Sequence, residues 1–212
     1  MKKLFFVVMA TLMLASCIKS PKEKAEALVI EQMKLTLYHP ETYAPSETQV
    51  DSAFTPYGDP VFYEKTLKLF KLGVVIEKYN QKAKSEKSSM SIWSGPYQSS
   101  YERNEYQEAK EKYHEANSKK EQAIKEAQAL NEELKKMFNE EKTFIGFKVI
   151  HTYRANNNAG QTVGGKAMFL LDKDMKKIVA SYDMDSEEYK AVEYIWKMMN
   201  GENSMADEAT LE

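Results

Sequence analysis

The sequence predicts an α+β fold: a small antiparallel sheet with N- and C-terminal helices, interrupted by a long antiparallel helical hairpin of the coiled-coil type. Three observations predict it. An unbroken heptad pattern runs through residues 106–137. Alternating apolar residues follow position 143 and indicate strands that are apolar on one face. Apolar residues at helical spacing lie upstream of residue 39 and downstream of residue 186.

The first helix and the first strand of the predicted body precede the hairpin. Ser20 and Glu23 form a capping box with a proline at the first helical position, which predicts a helix over about Pro21–Tyr38. His39-Pro40 ends that helix, because the residue before a proline disfavours helical geometry. Loose alternation predicts a strand over Ser46–Ala53.

The hairpin is predicted from two helical runs, Val61–Lys84 and Tyr101–Phe138. Asp59-Pro60 is a strong start signal for the shorter run, and Gly73 is expected beside its seam. Counted back from the turn, the shorter helix ends opposite about Ala127, so the last part of the longer helix is expected to pack on the body. The seam residues of the longer helix are Tyr106, Ala109, Tyr113, Ala116, Lys120, Ala123, Ala127, Leu130, Leu134 and Met137.

Three further strands and a helix complete the predicted body. The strands are expected over Thr143–Ala155, Thr162–Leu171 and Lys177–Tyr182, and their short connections indicate an antiparallel meander. Ser186 is expected to cap a last helix that runs to about Met199. The predicted segments are a signal peptide (1–16), the first part of the body (17–58), the helical hairpin (59–140), the second part of the body (141–200) and an acidic, disordered tail (201–212).

The N-terminus carries an export signal. A basic start and an apolar run over Leu4–Leu14, too short to span a bilayer, lead to Leu14-Ala15-Ser16-Cys17. These residues resemble the lipobox of bacterial lipoproteins. The resemblance implies cleavage before Cys17, its acylation (palmitate among the chains), and anchoring to the outer membrane of the cell envelope. The alternative is an ordinary secretory signal with an incidental cysteine.

Composition narrows the classes of partner. The chain has 30 basic and 32 acidic residues and a net charge of −2, and no basic face that would predict nucleic-acid binding. Cys17 is the only cysteine, so neither a disulfide within the chain nor a cysteine-based metal site is expected.

No catalytic, cofactor-binding or metal-binding set of residues is predicted. His39, His114 and His151 are not spaced as metal ligands, and Asp172 with its neighbours is expected to form a turn. Arg154, followed by the run Asn156–Asn158, is a candidate contact for an anion. The alternative is a salt-bridged strand end followed by an asparagine-rich turn.

The turn of the hairpin is the candidate surface for a protein partner. Ile92, Trp93 and Tyr97 lie in a serine- and glycine-rich stretch, and exposed aromatic residues there would favour a protein contact. The alternative is that these side chains fold back and plug the end of the two helices.

The predicted function is a non-catalytic binding or assembly role for a lipid-anchored protein. The first alternative is a small-ligand-binding body: helix-then-meander plans resemble cystatin-like and NTF2-like folds, and His151–Val179 is similar to small α+β bacterial lipoproteins. It predicts a lined cavity between sheet and helix. The second alternative is an enzyme with a dispersed site. It requires convergence of His151, Arg154, Asp51 and Asp183.

Two partners are expected: the membrane, through lipidated Cys17, and a protein of unspecified identity. A homodimer through Tyr101–Phe138 is a further alternative, in which Lys120 would select the register.

Overall fold

A computed structural model describes residues 20–202 and has a mixed α+β fold. Its elements are α1 (Pro21–Thr36), β1 (His39–Phe54), α2 (Pro60–Ile92), α3 (Ser100–Asn139), β2 (Phe144–Asn156), β3 (Thr162–Leu171), β4 (Ile178–Asp183) and α4 (Glu187–Met199). The predicted signal peptide, Cys17 and nearly all of the predicted C-terminal tail lie outside the described residues.

The chain divides into two compact units. The first combines the segment that ends at Gly58 with Thr143–Ser186, and it contains α1 and the four strands. The second combines Asp59–Lys142 with the segment that begins at Glu187, and it contains the three remaining helices.

The sheet of the first unit is a meander in the order β1-β2-β3-β4, with all neighbouring strands antiparallel. The capping box at Ser20 and Glu23 starts α1 as expected. The first strand is much longer than expected, because two register shifts let β1 follow β2 through Pro40 and Pro45. One helix face packs on one face of the sheet, and the residues of this core are Ala25, Val29, Met33, Val149, Phe169 and Leu171.

The two long helices of the second unit run in opposite directions and contact each other along their length. Lys65 near the start of α2 hydrogen-bonds Glu133 near the end of α3. The Lys119 ammonium lies 5.6 Å from the centre of the Tyr79 ring. At the other end, the rings of Trp93 and Tyr101 meet edge to face, with centroids 6.0 Å apart. Every expected seam residue of α3 is buried or half-buried, and five are fully buried: Ala109, Ala116, Ala123, Leu130 and Leu134.

Two expectations about this helix pair are wrong. Helix α2 continues to Ile92 rather than ending near Lys84, because pairing with α3 outweighs the low helix propensity of its serines. The turn is therefore later and the pairing reaches Glu133, well beyond Ala127. Gly73 does not face the alanines, since a Cβ atom built there meets no other heavy atom within 4 Å.

The expectation that the last helix belongs to the α+β body is also wrong. Helix α4 belongs to the second unit and packs on the start of α2. The Trp196 ring stacks on Phe62 with centroids 6.0 Å apart, and its indole N–H donates to the Thr66 hydroxyl at 3.1 Å. Tyr63 stacks on Tyr189, and burial raises the pKa of Tyr189 to about 12. An amphipathic pattern predicts that α4 buries one face, but it does not specify the surface that covers it.

Candidate functional site

The first unit contains a groove of about 250 Å³ between the C-terminal half of α1 and the sheet. Its floor is apolar and comes from Met33, Leu37, Ala167 and Phe169. Polar groups line the remainder: Gln32, Thr36, Tyr153, Ser181, Tyr182 and Asp183. A cavity between sheet and helix is the feature that the small-ligand-binding alternative predicts. Concave apolar sites with a few polar groups are typical of small-molecule binding.

Three neighbouring aromatic rings form the wall beside this groove, and one pair of them is stacked. One ring, Tyr43, comes from β1, and the other two, His151 and Tyr153, come from β2. The ring centroids are 6.0 Å apart in every pair. His151 and Tyr153 are nearly parallel, with an interplanar angle of 7°. Alternation along β2 brings both residues to the face that α1 covers, and Tyr153 is the member of the three that reaches the groove.

His151 is 1% exposed, and both of its ring nitrogens have hydroxyl partners. The Tyr43 hydroxyl lies 2.7 Å from Nε2, and the Thr48 hydroxyl lies 2.9 Å from Nδ1. Burial lowers the pKa of His151, and the Glu26 carboxylate and the backbone of Glu47 oppose that shift only partly. The imidazole is therefore a neutral, fully bonded group within the wall.

Gly165 makes room for this wall. It pairs with Tyr153 across the ladder between β2 and β3, whose register is continuous and contains no bulge. A Cβ atom at Gly165 would lie 2.6 Å from Cζ of the Tyr153 ring, so the ring rests directly on the glycine backbone. A Cβ atom at the neighbouring Gly164 would lie 3.9 Å from its nearest contact, the Tyr153 carbonyl oxygen.

The charge at the groove is negative. Within the described part of the chain, Asp183 is the only lining residue with a formally charged side chain at neutral pH. Burial raises the pKa of the Tyr153 hydroxyl, and the carboxylates of Asp183 and Asp185 raise it further. Oδ1 of Asp183 accepts a hydrogen bond from the Asp185 backbone N–H at 2.9 Å, which fixes the direction of the carboxylate.

Arg154 does not contribute to this groove. It is exposed on the opposite face of the sheet, paired with Gly164. The asparagines after it are engaged within their own loop: Oδ1 of Asn157 accepts from the N–H groups of Ala159 and Gln161. This arrangement matches the turn expected as the alternative. The contact of Arg154 with an anion stays a prediction.

The residues named for a dispersed catalytic site do not converge. His151 and Asp183 lie on the face of the sheet that α1 covers, whereas Asp51 and Arg154 lie on the opposite face. No group of three or more His, Cys, Asp or Glu residues within positions 20–202 is arranged to hold a metal ion. The turn expected at Asp172 is confirmed, because its Oδ1 accepts from the N–H groups of Lys176 and Lys177.

The three residues named as a candidate partner contact differ in exposure at the end of the long helix pair. Trp93 is half-buried, its ring packs on Tyr101, and its carbonyl accepts a hydrogen bond from the Gln98 side chain. Ile92 is 72% exposed and Tyr97 is 97% exposed. The plug expected as the alternative therefore describes Trp93 alone, and two large apolar side chains remain accessible.

Comparison with known proteins gives no significant match: no family model matches the chain, and no curated protein or solved structure does. Among residues 20–202, no helix is both long enough and apolar enough to cross a membrane. The groove and the exposed end of the helix pair are therefore the two candidate sites of the chain.

The fit of Tyr153 on Gly165 predicts unequal effects of two neighbouring substitutions. Gly165→Ala should lower the free energy of unfolding by about 1–3 kcal/mol, because the new methyl group displaces a ring that is already packed on His151. Gly164→Ala is the matched control and should be neutral or slightly stabilising, since alanine loses less backbone entropy than glycine. Urea unfolding of both variants measures the difference, and equal destabilisation would contradict this packing.

The buried imidazole predicts a pH dependence of stability. Because the pKa of His151 is lower in the folded chain than its ordinary value of 6.5, the unfolded chain binds the additional proton. The contribution of His151 to stability should be complete above pH 6.5 and should decline as the pH falls below it. Urea unfolding between pH 8 and pH 5 should show a smaller acid-induced loss in His151→Gln. At pH 8, the difference in unfolding free energy between His151→Gln and the unchanged chain measures the lost contacts alone. If that difference stays constant from pH 8 to pH 5, the prediction is wrong.

Proposed function

We propose that this protein is a lipoprotein of the bacterial cell envelope, anchored to the outer membrane through acylated Cys17, with a non-catalytic binding role. In this proposal, α2 and α3 form an antiparallel helical hairpin of the coiled-coil type that presents a contact surface for a protein partner. The lipobox residues Leu14-Ala15-Ser16-Cys17 support the anchor.

The exposure of Ile92 and Tyr97 carries the proposal of a protein partner. Both side chains lie at the turn between α2 and α3, where the chain reverses within residues 93–99. At the same turn, the Trp93 ring packs edge to face on the Tyr101 ring. Aromatic residues are enriched in protein interfaces because they bury a large area with few rotatable bonds. The partner is therefore expected to bring an apolar surface with a polar rim.

The alternative homodimer through α3 is disfavoured by the burial of its seam within a single chain. Ala109, Ala116 and Ala123 are each at most 5% exposed with one copy present. A second copy could use the same seam only after α2 had separated from it.

A second candidate function is the binding of a small ligand by the α+β unit. The groove between α1 and the sheet favours it, because an apolar floor with polar groups around it suits a small amphipathic molecule. The two functions use different units of the chain and can be tested separately.

Site-specific photocrosslinking tests the partner surface. A photoreactive phenylalanine analogue at position 97 should trap one protein in intact cells, and Ile92→Ser should reduce that adduct because it removes the neighbouring apolar contact. The matched control carries the same analogue in place of Tyr38, an exposed tyrosine of the other unit, and should not trap this protein.

The same strains test the anchor. Cys17→Ala should move the chain from the membrane fraction to the soluble fraction and should reduce the position-97 adduct when the partner is membrane-bound. The proposal is wrong if positions 38 and 97 give the same adducts, or if the Cys17→Ala chain remains with the membrane.

A further inference from the structure

We propose that the groove between α1 and the sheet binds a primary ammonium group carried on a small apolar body, with Asp183 as the anionic partner. This inference rests on the second candidate function and names the class of ligand. It depends on three observations: the charge of the lining, the placement of oxygen acceptors, and the size of the floor.

The lining favours a cation over an anion or a neutral molecule. Among residues 20–202, Asp183 is its only formally charged lining residue, and neither a lysine nor an arginine of this range lines the groove. The Asp185 carboxylate adds to the negative potential close to the Tyr153 hydroxyl. An anionic ligand would meet the Asp183 carboxylate and no compensating cation among the described lining residues.

Oxygen acceptors lie on three sides of the groove. Oδ1 of Asp183 accepts the Asp185 backbone N–H, which leaves Oδ2 for a ligand. Tyr153 and Ser181 contribute hydroxyl groups from β2 and β4, and Gln32 contributes an amide oxygen from α1. A primary ammonium has three N–H donors and no acceptor, so it complements a carboxylate flanked by hydroxyl oxygens.

The apolar floor limits the rest of the ligand. Ala167 is the smallest side chain of the floor, and it lies between His151 and Asp183 in the ladder of the sheet. With a volume of about 250 Å³, the groove falls just below the range of about 300–1,000 Å³ that is usual for drug-sized ligands. A single ring or a short alkyl chain therefore fits better than an extended molecule.

Three probes with the same ring distinguish the classes of ligand. Benzylammonium, benzyl alcohol and benzoate differ in charge at one position, and each is titrated into the full chain while binding is followed by calorimetry and amide chemical shifts. Benzylammonium should bind most tightly, with shifts centred on residues 181–183 and Tyr153. Benzoate should bind least.

Asp183→Asn is the decisive variant because asparagine keeps the Oδ1 acceptor and loses the charge. It should weaken benzylammonium about tenfold, the range for loss of a charge-assisted hydrogen bond, and should leave benzyl alcohol unchanged. Asp51→Asn, on the opposite face of the sheet, is the matched control and should have no effect. Ser181→Leu should abolish binding of all three probes by filling the groove, whereas Ser181→Ala should retain the preference for the cation.

The possible results distinguish failure of the ammonium inference from failure of the small-ligand function on which it rests. If the three probes bind alike and Asp183→Asn changes nothing, the ammonium inference is wrong although the groove still binds small molecules. If no probe binds at millimolar concentration, both the ammonium inference and the small-ligand function are wrong. The crosslinking result at position 97 does not depend on either outcome.

Discussion

The small side chains on the buried face of α3 are the constraint on which the second unit depends. Alanine recurs at every seventh position over Ala109, Ala116 and Ala123, and all three are buried against α2. Such small residues let two helix backbones approach closely, but each contributes little apolar area, so the pair needs its full length to be stable. Larger residues close its two ends: Trp93 packs on Tyr101 at the turn, and Leu130 and Leu134 are buried near the start of α2. Because the Trp93 ring already packs on Tyr101 to close the turn, Ile92 and Tyr97 are not needed there and stay exposed.

In the first unit, one buried polar residue supports the side of the groove. His151 is buried because Tyr43 and Thr48 supply a hydroxyl group for each ring nitrogen, which removes the cost of an unsatisfied polar group. Its ring then supports Tyr153, which lies over Gly165 and forms the side of the groove. The negative charge of Asp183 is thus presented beside an ordered wall rather than in an open loop. Order of this kind lowers the entropic cost of binding a small ligand.

Patterns that depend on nearest neighbours in the chain predicted local structure well, and patterns that depend on distant partners did not. The capping box at Ser20, the bounds of the third strand and the turn at Asp172 follow from residues close in sequence, and the structure confirms them. The partner of α4 could not be predicted, because one apolar face fits several surfaces equally well. The serine-rich end of α2 was missed because serine has low helix propensity, and tertiary pairing outweighs that preference. The groove was foreseen only as a consequence of a fold resemblance. Its polar lining depends on the Asp183 carboxylate and the Tyr153 hydroxyl, which are thirty residues apart in the chain and are brought together by the sheet.

Pairing of α2 with α3 inside one chain is the central claim, because the exposed turn and the proposed partner surface both depend on it. Spin labels at Lys82→Cys and Glu115→Cys, two positions that interact electrostatically across the pair, measure it directly once Cys17 is replaced by alanine. Pulsed electron paramagnetic resonance should give one short distance that persists when the labelled protein is diluted with unlabelled chain. Singly labelled protein should give none. A short distance that disappears on dilution, or that is present in singly labelled protein, would place the seam between two chains and would contradict the account.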